Sequence, residues 1–402
     1  MQYFFIFGNT PALSFAELQG YFQRTDTKYQ VEWYEKDFVI VETIKEISQD
    51  VMNQLGGVVK FGKVVKEVKR INDIKSEYFV EEIHHEYTKG KYHFGFSVYP
   101  RDKNASYELR GIGLDIKKHL KELKIQSRLV MSRQENLSSV VVQKNKLVSE
   151  LGWEIVILKK HHTYCIGRTI AVQPFEAFGE RDFGRPGRDD KSGMLPPKVA
   201  MSMINLAAKP LDKIILDPFC GSGTVLQEAL LLGYSTVHGS DASTKAIKDS
   251  KENIKWLADK HDVDIKGVHI TEQDASKPRD KKIEVDAVVT EPFLGPPASG
   301  RRTKQEVDKI VNDLRPLYQK SLENLVDMLK ENGRIVMIFP VLFFGKSKRF
   351  MSDEINFPKS LSVVSLCDSQ QSRVFWLTRR GGVIYMRPGQ AVGREIIVLE
   401  KK

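Results

Sequence analysis

Eleven residues, Ile214-Ile215-Leu216-Asp217-Pro218-Phe219-Cys220-Gly221-Ser222-Gly223-Thr224, have the types and spacing of a ligand-binding turn. Three apolar residues lead into an acid and a Gly-x-Gly turn, and a helical pattern follows over residues 225–232. A strand, tight turn and helix start in that order expose backbone N–H groups and let a ligand come close to the main chain. Asp-Pro-Phe at the strand end suits a ligand without a pyrophosphate. An ordinary strand–helix turn of another α/β enzyme is the plainer alternative. Asp241 stands 24 residues beyond Asp217, near the spacing at which an acid accepts hydrogen bonds from ribose hydroxyls. Capping of a helix from Ser243 onward is the other role open to it. A third acid closes the apolar run 285–290: Glu291, followed by Pro292-Phe293-Leu294-Gly295-Pro296-Pro297. Open α/β sheets bind ligands at that carboxyl edge.

The elements needed to position these residues follow from periodicity. A helix from Thr244 carries Ile247, Ile254 and Leu257, and a strand over 268–271 ends near Asp274. A long helix over 306–329, running through Pro316, presents Val307, Ile310, Val311, Leu314, Tyr318, Leu322, Leu325 and Leu329 to a core. Gly333 is expected to end it, with a strand over 334–339 next. Segments 362–366, 374–377, 383–386 and 395–399 read as late strands, joined by a turn at 386–390 to which no chemistry is assigned. The basic loop Gly300-Arg301-Arg302-Thr303-Lys304 fits either a phosphate contact or a solvated helix start.

Upstream, strands are expected over 3–7, 31–34, 38–41, 58–65 and 92–98, with a short helix over 51–55. Ser14 and Glu17 have the spacing of a capping box, and Phe15, Leu18 and Phe22 follow at helical intervals. This alternation predicts a small α+β sandwich. A helix over 114–123 has apolar Leu114, Leu120 and Leu123 and a basic face of Lys117, Lys118, Lys121 and Lys124. From Arg101 to Arg133 nine basic residues stand against four acids, an excess of five and so half of the whole chain's +10. A solvated helix face accounts for such a run as readily as a phosphate-binding stripe does. The 402 residues and 41% hydrophobic content fit two to three domains with a sizeable core, and a pI near 9.2 favours an anionic partner, nucleic acid above all. Cys165, Cys220 and Cys367 lie far apart, which fits a reducing compartment and excludes a CxxC zinc site. The start MQYFFIF lacks a basic n-region, and the ten-residue apolar run 335–344 is too short to span a bilayer. A cytoplasmic location away from membranes is expected.

Between the halves lies QPFEAFGERDFGRPGRDDKSGMLPP, rich in charge, Gly and Pro yet carrying Phe175, Phe178 and Phe183. A helix opens at Pro196-Pro197, with Val199, Met203, Ile204 and Leu206 on one face. Together the DPFxGSGT loop and the run RDFGRPGRDDKSGMLPPKVAMSMINLA resemble the tRNA guanosine-10 N2-methyltransferases of archaea and eukaryotes. The tail of the N-terminal half resembles a THUMP domain, read as a helix, Ser127-Arg128-Leu129-Val130, a strand over 138–143, a basic turn and residues 153–158. The resemblance is strong over about 181–295, moderate for the THUMP-like part and weak after Gly333.

What the resemblance implies is an α/β fold: a class I, Rossmann-like S-adenosylmethionine methyltransferase domain over 199–402, a linker over 173–198, and a smaller α+β THUMP-like RNA-binding region over 1–172. Asp217, Phe219, Gly221, Gly223, Thr224, Asp241 and Asp274 would hold S-adenosylmethionine, Asp274 through the adenine amino group with Glu272 as its rival. Glu291 and the Pro292 carbonyl would accept the N–H groups of an exocyclic amine, drawing nitrogen toward tetrahedral geometry, while Phe293 stacks on the base. Such enzymes usually carry Asp or Asn, Pro, Pro and an aromatic here. In this chain Glu291 replaces the acid, Phe293 the second Pro and Leu294 the aromatic. The extra methylene moves the carboxylate by about 1.5 Å. The expected substrate is RNA, tRNA first, its target base leaving the stack to react. No metal is expected, since a sulfonium already activates the methyl group. Methylation of ribosomal RNA guanine or DNA adenine, and RNA binding without turnover, are the alternatives. Some relatives work with a small zinc-containing partner protein, on which this sequence is silent.

Overall fold

The computed structural model describes residues 1–132, 136–188, 194–278, 283–297, 300 and 302–402. Arg133, Arg301 and residues 189–193 of the charged connecting segment therefore lie outside the described residues. The chain divides into two compact units. One comprises Met1–Pro11, Lys28–Asn53 and Val58–Phe175; the other comprises Ala12–Thr27, Gln54–Gly57 and Glu176–Lys402. This differs from a division at 172/173 and 198/199 chiefly in giving residues 12–27 to the second unit.

In the first unit β1 (Gln2–Phe7), β2 (Tyr29–Glu35), β3 (Phe38–Thr43), β4 (Val58–Val68), β5 (Tyr92–Tyr99), β6 (Ser127–Val130), β7 (Gly152–Lys159) and β8 (Tyr164–Val172) form one mixed sheet. Its order is β2-β3-β1-β4-β8-β7-β5-β6. β5 runs parallel to β6 and β7, and the other neighbours are antiparallel. The helix α1 (Pro11–Arg24) interrupts this part of the chain but belongs to the second unit. The helices α2 (Ser76–Glu86) and α3 (Lys103–Glu122) share a core with the sheet through Phe79, Ile83, Leu109, Ile116, Leu120 and Trp153.

Two expectations fail here. Residues 138–143 are not a strand: Ser138 caps α4 (Ser139–Lys144), its hydroxyl accepting from the Val141 N–H at 3.3 Å. The cap outweighs the strand preference of three consecutive valines. Residues 127–130 form the strand β6. On α3, Leu120 is buried, but Leu114 and Leu123 are 54% and 45% exposed, because the helix turns Leu109, Gly113, Ile116 and Leu120 inward.

The second unit has a nine-stranded sheet. Its strands are β9 (Ile215–Asp217), β10 (Val237–Asp241), β11 (Val268–Glu272), β12 (Val285–Thr290), β13 (Leu329–Phe344), β14 (Ser347–Phe350), β15 (Leu361–Val363), β16 (Val383–Tyr385) and β17 (Val392–Lys401). The main order is β11-β10-β9-β12-β13-β17-β15. The first five strands are mutually parallel, and β17 then runs antiparallel to β13 and β15. Strand order reverses between β9 and β12, so the carboxyl ends of those two strands flank the switch point where open sheets bind ligands. The helices α5 (Phe175–Phe183), α6 (Pro197–Ala207), α7 (Thr224–Leu232), α8 (Thr244–His261) and α9 (Lys304–Met328) complete the unit. Two late expectations fail: β13 begins at Leu329 and passes through Gly333, and 374–377 is not a strand but follows a single 3-10 turn, Gln371–Arg373.

Ser14 and Glu17 are no capping box, since α1 opens three residues earlier at Pro11, which suits a first helical turn. Buried inside the helix, they hold another loop. The Ser14 hydroxyl donates to the Gly57 carbonyl at 2.7 Å, and the Glu17 carboxylate accepts from the Gly56 and Gly57 N–H groups, both at 2.7 Å. Asn205 of α6 adds a donor to Glu17 at 3.1 Å and accepts from Arg24 at 3.1 Å. Burial nevertheless pushes the Glu17 carboxyl up to about 7.

Candidate active site

A cavity of about 590 Å³ opens at the switch point of the second unit. Its wall includes Asp217, Phe219, Gly221, Thr224, Asp241, Asp274, Glu291, Pro292 and Phe293. Of the site residues expected from sequence, Gly223 alone is not on the wall; it caps α7 from below.

The glycine loop is built as its sequence requires. Gly221 and Gly223 have φ of +52° and +84°, a region that glycine enters without strain. A Cβ on Gly223 would also stand 2.5 Å from the Ser250 hydroxyl, whereas one on Gly221 would meet nothing. Asp241 ends β10 and accepts from Gly221 N–H at 3.0 Å and Ser243 N–H at 2.9 Å. It thus ties the loop to the start of α8, where the Ser243 side chain caps the helix. Asp217 is buried, accepting from Phe219 N–H at 3.1 Å and from the Thr290 hydroxyl at 2.6 Å. Thr290 belongs to β12, so this bond joins the two strands of the switch point. Burial pushes the Asp217 carboxyl up to about 7, and the nearby Asp241 and Glu291 add to the rise. Asp274 accepts from the Ser276 hydroxyl and N–H at 2.7 and 2.9 Å, which hold its carboxyl below the usual range. Its rival Glu272 is not on the wall and accepts from Thr244.

Five carboxylates, Asp217, Asp241, Asp249, Asp274 and Glu291, face one lysine, Lys245, on this wall, within a chain of net charge +10. Lys245 is itself paired with Asp249. Such a wall favours a cationic ligand.

Glu291 follows β12 and is nearly buried, with its Oε1 accepting from Arg394 Nε at 2.8 Å. Burial raises its carboxyl above the usual range, and the Arg394 charge and hydrogen bond offset only part of that rise. Pro292 is buried, and Phe293 is 54% exposed at the rim, its carbonyl accepting from the Tyr318 hydroxyl of α9 at 3.0 Å.

Arg394 and Asn253 gave no signal in the sequence, whereas Arg181, Arg185 and Gly187 lie in the run whose family resemblance implies packing beside the cofactor pocket. Arg394 lies 103 positions from Glu291. Arg185 is buried and donates to the Thr224 hydroxyl at 2.7 Å. Asn253 is fully buried; its side chain donates to the Gly187 and Ser222 carbonyls and accepts from Gly187 N–H, each at 2.8 Å. Arg181 grips Glu228 of α7 through two bonds of 2.7 and 3.1 Å. The described part of the segment expected as a linker is therefore clamped to the glycine loop and its helix. Its aromatic content was a second clue: Phe178 is buried, with Arg181 over its ring.

In the first unit a separate cleft of about 370 Å³ is lined by Lys91, Lys117, Lys121 and Lys124 with residues 125–127. Of the four lysines expected on one basic face, Lys117 and Lys121 of α3 and Lys124 just beyond its end thus converge on one hollow. Arg302 of the other basic loop donates to the Pro296 carbonyl at 2.5 Å.

Residues 185–343 match the family described as UPF0020, RMKL-like, methyltransferase domain. The tRNA (guanine(10)-N2)-dimethyltransferase of Methanothermobacter thermautotrophicus is 33% identical over 184 residues, 44% of this chain and 47% of that protein. The protein of the same name from Methanocaldococcus jannaschii is 26% identical over 254 residues, 60% of this chain and 63% of that one. The chain thus spans about half to just under two thirds of these curated relatives. TrmN from Thermus thermophilus has the same fold, with a TM-score of 0.55 at 14% identity and complete coverage of both chains. A possible methylase from Clostridium difficile 630 follows at a TM-score of 0.50 and 12% identity, with 99% and 98% covered. These findings agree with the methyltransferase resemblance read from the sequence and with its α/β fold class.

Proposed function

We propose that the chain is an S-adenosylmethionine-dependent RNA methyltransferase that modifies the exocyclic N2 of a guanosine, with tRNA as its substrate. One observation carries this reading: Glu291-Pro292-Phe293 and the glycine loop with Asp241 line the same cavity at the switch point. The relatives' names point to the same base and the same RNA.

The cavity fits the cofactor in sign and shape. Its acidic wall suits a sulfonium, and the loop leaves open space at Gly221, where a side chain would project. Asp241 and Asp274 would hold it by ribose and adenine, with Asp217, Phe219, Gly221 and Thr224 forming the remaining contacts and Gly223 setting the loop. When bound, S-adenosylmethionine supplies an electrophilic methyl group, and no metal is required for that. The protein's own residues act on the base. Glu291 and the Pro292 carbonyl accept N–H groups of the amine, whose lone pair is otherwise delocalised into the ring. Accepting them localises that pair on nitrogen and disperses the positive charge that grows there. Phe293, exposed at the rim, offers a stacking face that fixes the distance of approach.

Residues 1–172 we read as the region that grips RNA through a THUMP-type module, with 173–198 as the connection and 199–402 supplying the chemistry. The lysine cleft is its phosphate contact. Among the described residues no helix is long and apolar enough to cross a membrane. We place the protein in the cytoplasm, where tRNA is processed.

Methyl transfer from radiolabelled S-adenosylmethionine into unmodified bulk tRNA, followed by nucleoside mass spectrometry, tests the reading. Label in N2-methylguanosine is the expected result. Label in N6-methyladenine or in ribosomal RNA would redirect it to the alternative substrates. No label despite cofactor binding, with or without cell extract to supply a small zinc-containing partner, would leave an RNA-binding protein without turnover.

A further inference from the structure

We propose that Arg394 is a positioning residue for the reaction: from β17 it holds the Glu291 carboxylate ionised and in one orientation on the cavity wall, as an acceptor for the substrate amine. This rests on the methyltransferase reading above.

The placement comes from the sheet. Arg394 pairs in register with Pro340 of β13 on one side and Tyr385 of β16 on the other, so its backbone is fixed from both edges. The side chains of Arg394 and Glu291 are only 4% and 11% exposed, with Nε and Oε1 2.8 Å apart. A second guanidinium nitrogen lies 3.4 Å from the Gln390 side-chain oxygen. The turn over 386–390, to which the sequence pattern assigns no chemistry, therefore braces the arginine.

The need for such a partner follows from the acid itself. Glu has one more rotatable bond than Asp, so an untethered Glu291 would sample several orientations at the cavity edge. Its charged and titratable neighbours come from three elements: Asp217 at the end of β9, Tyr318 from α9 and Arg394 from β17. Without Arg394, Glu291 would be a buried carboxylate near Asp217 with no cation to offset its burial, an arrangement that favours keeping a proton. A protonated carboxyl loses acceptor capacity that the amine needs, whereas an ionised one bound through Oε1 still accepts further donors. The fork geometry of arginine fixes direction as well as charge.

The test reads Glu291 directly. Full-length protein labelled with carboxyl-13C glutamate is titrated by NMR, with the Glu291 signal identified by its loss in Glu291→Gln. In Arg394→Gln the Glu291 midpoint is expected to rise by about one pH unit or more over wild type. An unchanged midpoint in the folded variant would overturn the inference. Arg394→Lys, which keeps charge and bulk, carries the test if Arg394→Gln does not fold: a smaller upward move is expected, and a wild-type midpoint would be fatal. Neither readout requires turnover, so failure of the methyltransferase reading is seen separately in the labelling assay. If wild type is active, the acid limb of its kcat profile should move with the midpoint while cofactor affinity stays within about two-fold. A uniform loss of kcat without that move would make Arg394 merely structural.

Discussion

The reaction cavity of the second unit and the lysine cleft of the first are opposite ways of using charge. In the cavity each carboxylate is fixed: Asp217 by Thr290 and Phe219, Asp241 by two N–H groups, Asp274 by Ser276, Glu291 by Arg394. In the cleft four lysines share a hollow, Lys117 and Lys121 from α3, Lys124 just past its end and Lys91 from before it. Fixed groups lose their function singly, because each has a position no neighbour can take over. Exposed cations act through their sum, so they tolerate single losses and respond to salt.

Breaking the cavity should have the largest effect. Glu291→Gln keeps an oxygen for Arg394 but removes the charge, and methyl transfer should fall by about 10²-fold or more while cofactor affinity barely changes. Single-turnover rates beside calorimetric titration of S-adenosylmethionine would show near-normal turnover if Glu291 has no such role. Asp241→Ala should come next. Loss of two charge-assisted bonds and of the ribose contact proposed for it should weaken cofactor binding about 10- to 100-fold, measured by the same titration. An affinity unchanged by that substitution would leave Asp241 as a loop support only.

The cleft should yield only to a group change. Replacing Lys117, Lys121 and Lys124 together by Ala should weaken tRNA binding. The slope of log K against log salt should fall by about 0.7 to 0.9 for each phosphate that is no longer neutralised. Any one replacement alone should change little. An unchanged slope in the triple variant, read by filter binding across salt concentrations, would return these lysines to ordinary surface.

The smallest effect concerns stability. Folded Glu17 keeps its proton up to about pH 7, against 4.5 for the free side chain. Between those values the native state binds the extra proton, so the stability it contributes is complete below about 4.5 and is lost as pH rises through about 7. In Glu17→Gln that decline should disappear, changing the pH slope of Tm by about a few °C over the interval. Parallel Tm curves for the two proteins would refute the shift.

The same contrast explains what was legible in the sequence. The strand–turn–helix around Asp217 and the acid–proline turn at Glu291 are local, since backbone conformation and spacing along the chain produce them, and the cavity gathers them as their order suggests. Arg394 and Asn253 act across 103 and 31 to 66 positions, through pairings that no short window contains. The failures have the same origin. Ser14 and Glu17 match a local capping pattern, but their partners are Gly56 and Gly57 in another loop. Leu114 fits the apolar interval of a helix, but the direction in which α3 buries its face is set by the sheet beneath it.

The place of α1 has a consequence in time. Its residues leave the ribosome well before their partner Asn205, which is made more than 180 residues later. At about 5–20 residues per second, synthesis keeps the helix waiting for about ten seconds or longer before its seat exists. During that interval Phe15, Leu18 and Phe22, all buried in the finished protein, have no seat to cover them. The strands β1, β2 and β3 can pair before then, but the unit that holds the cavity closes only after Asn205 and the strands beyond it have been made, and α1 is among the pieces it must collect.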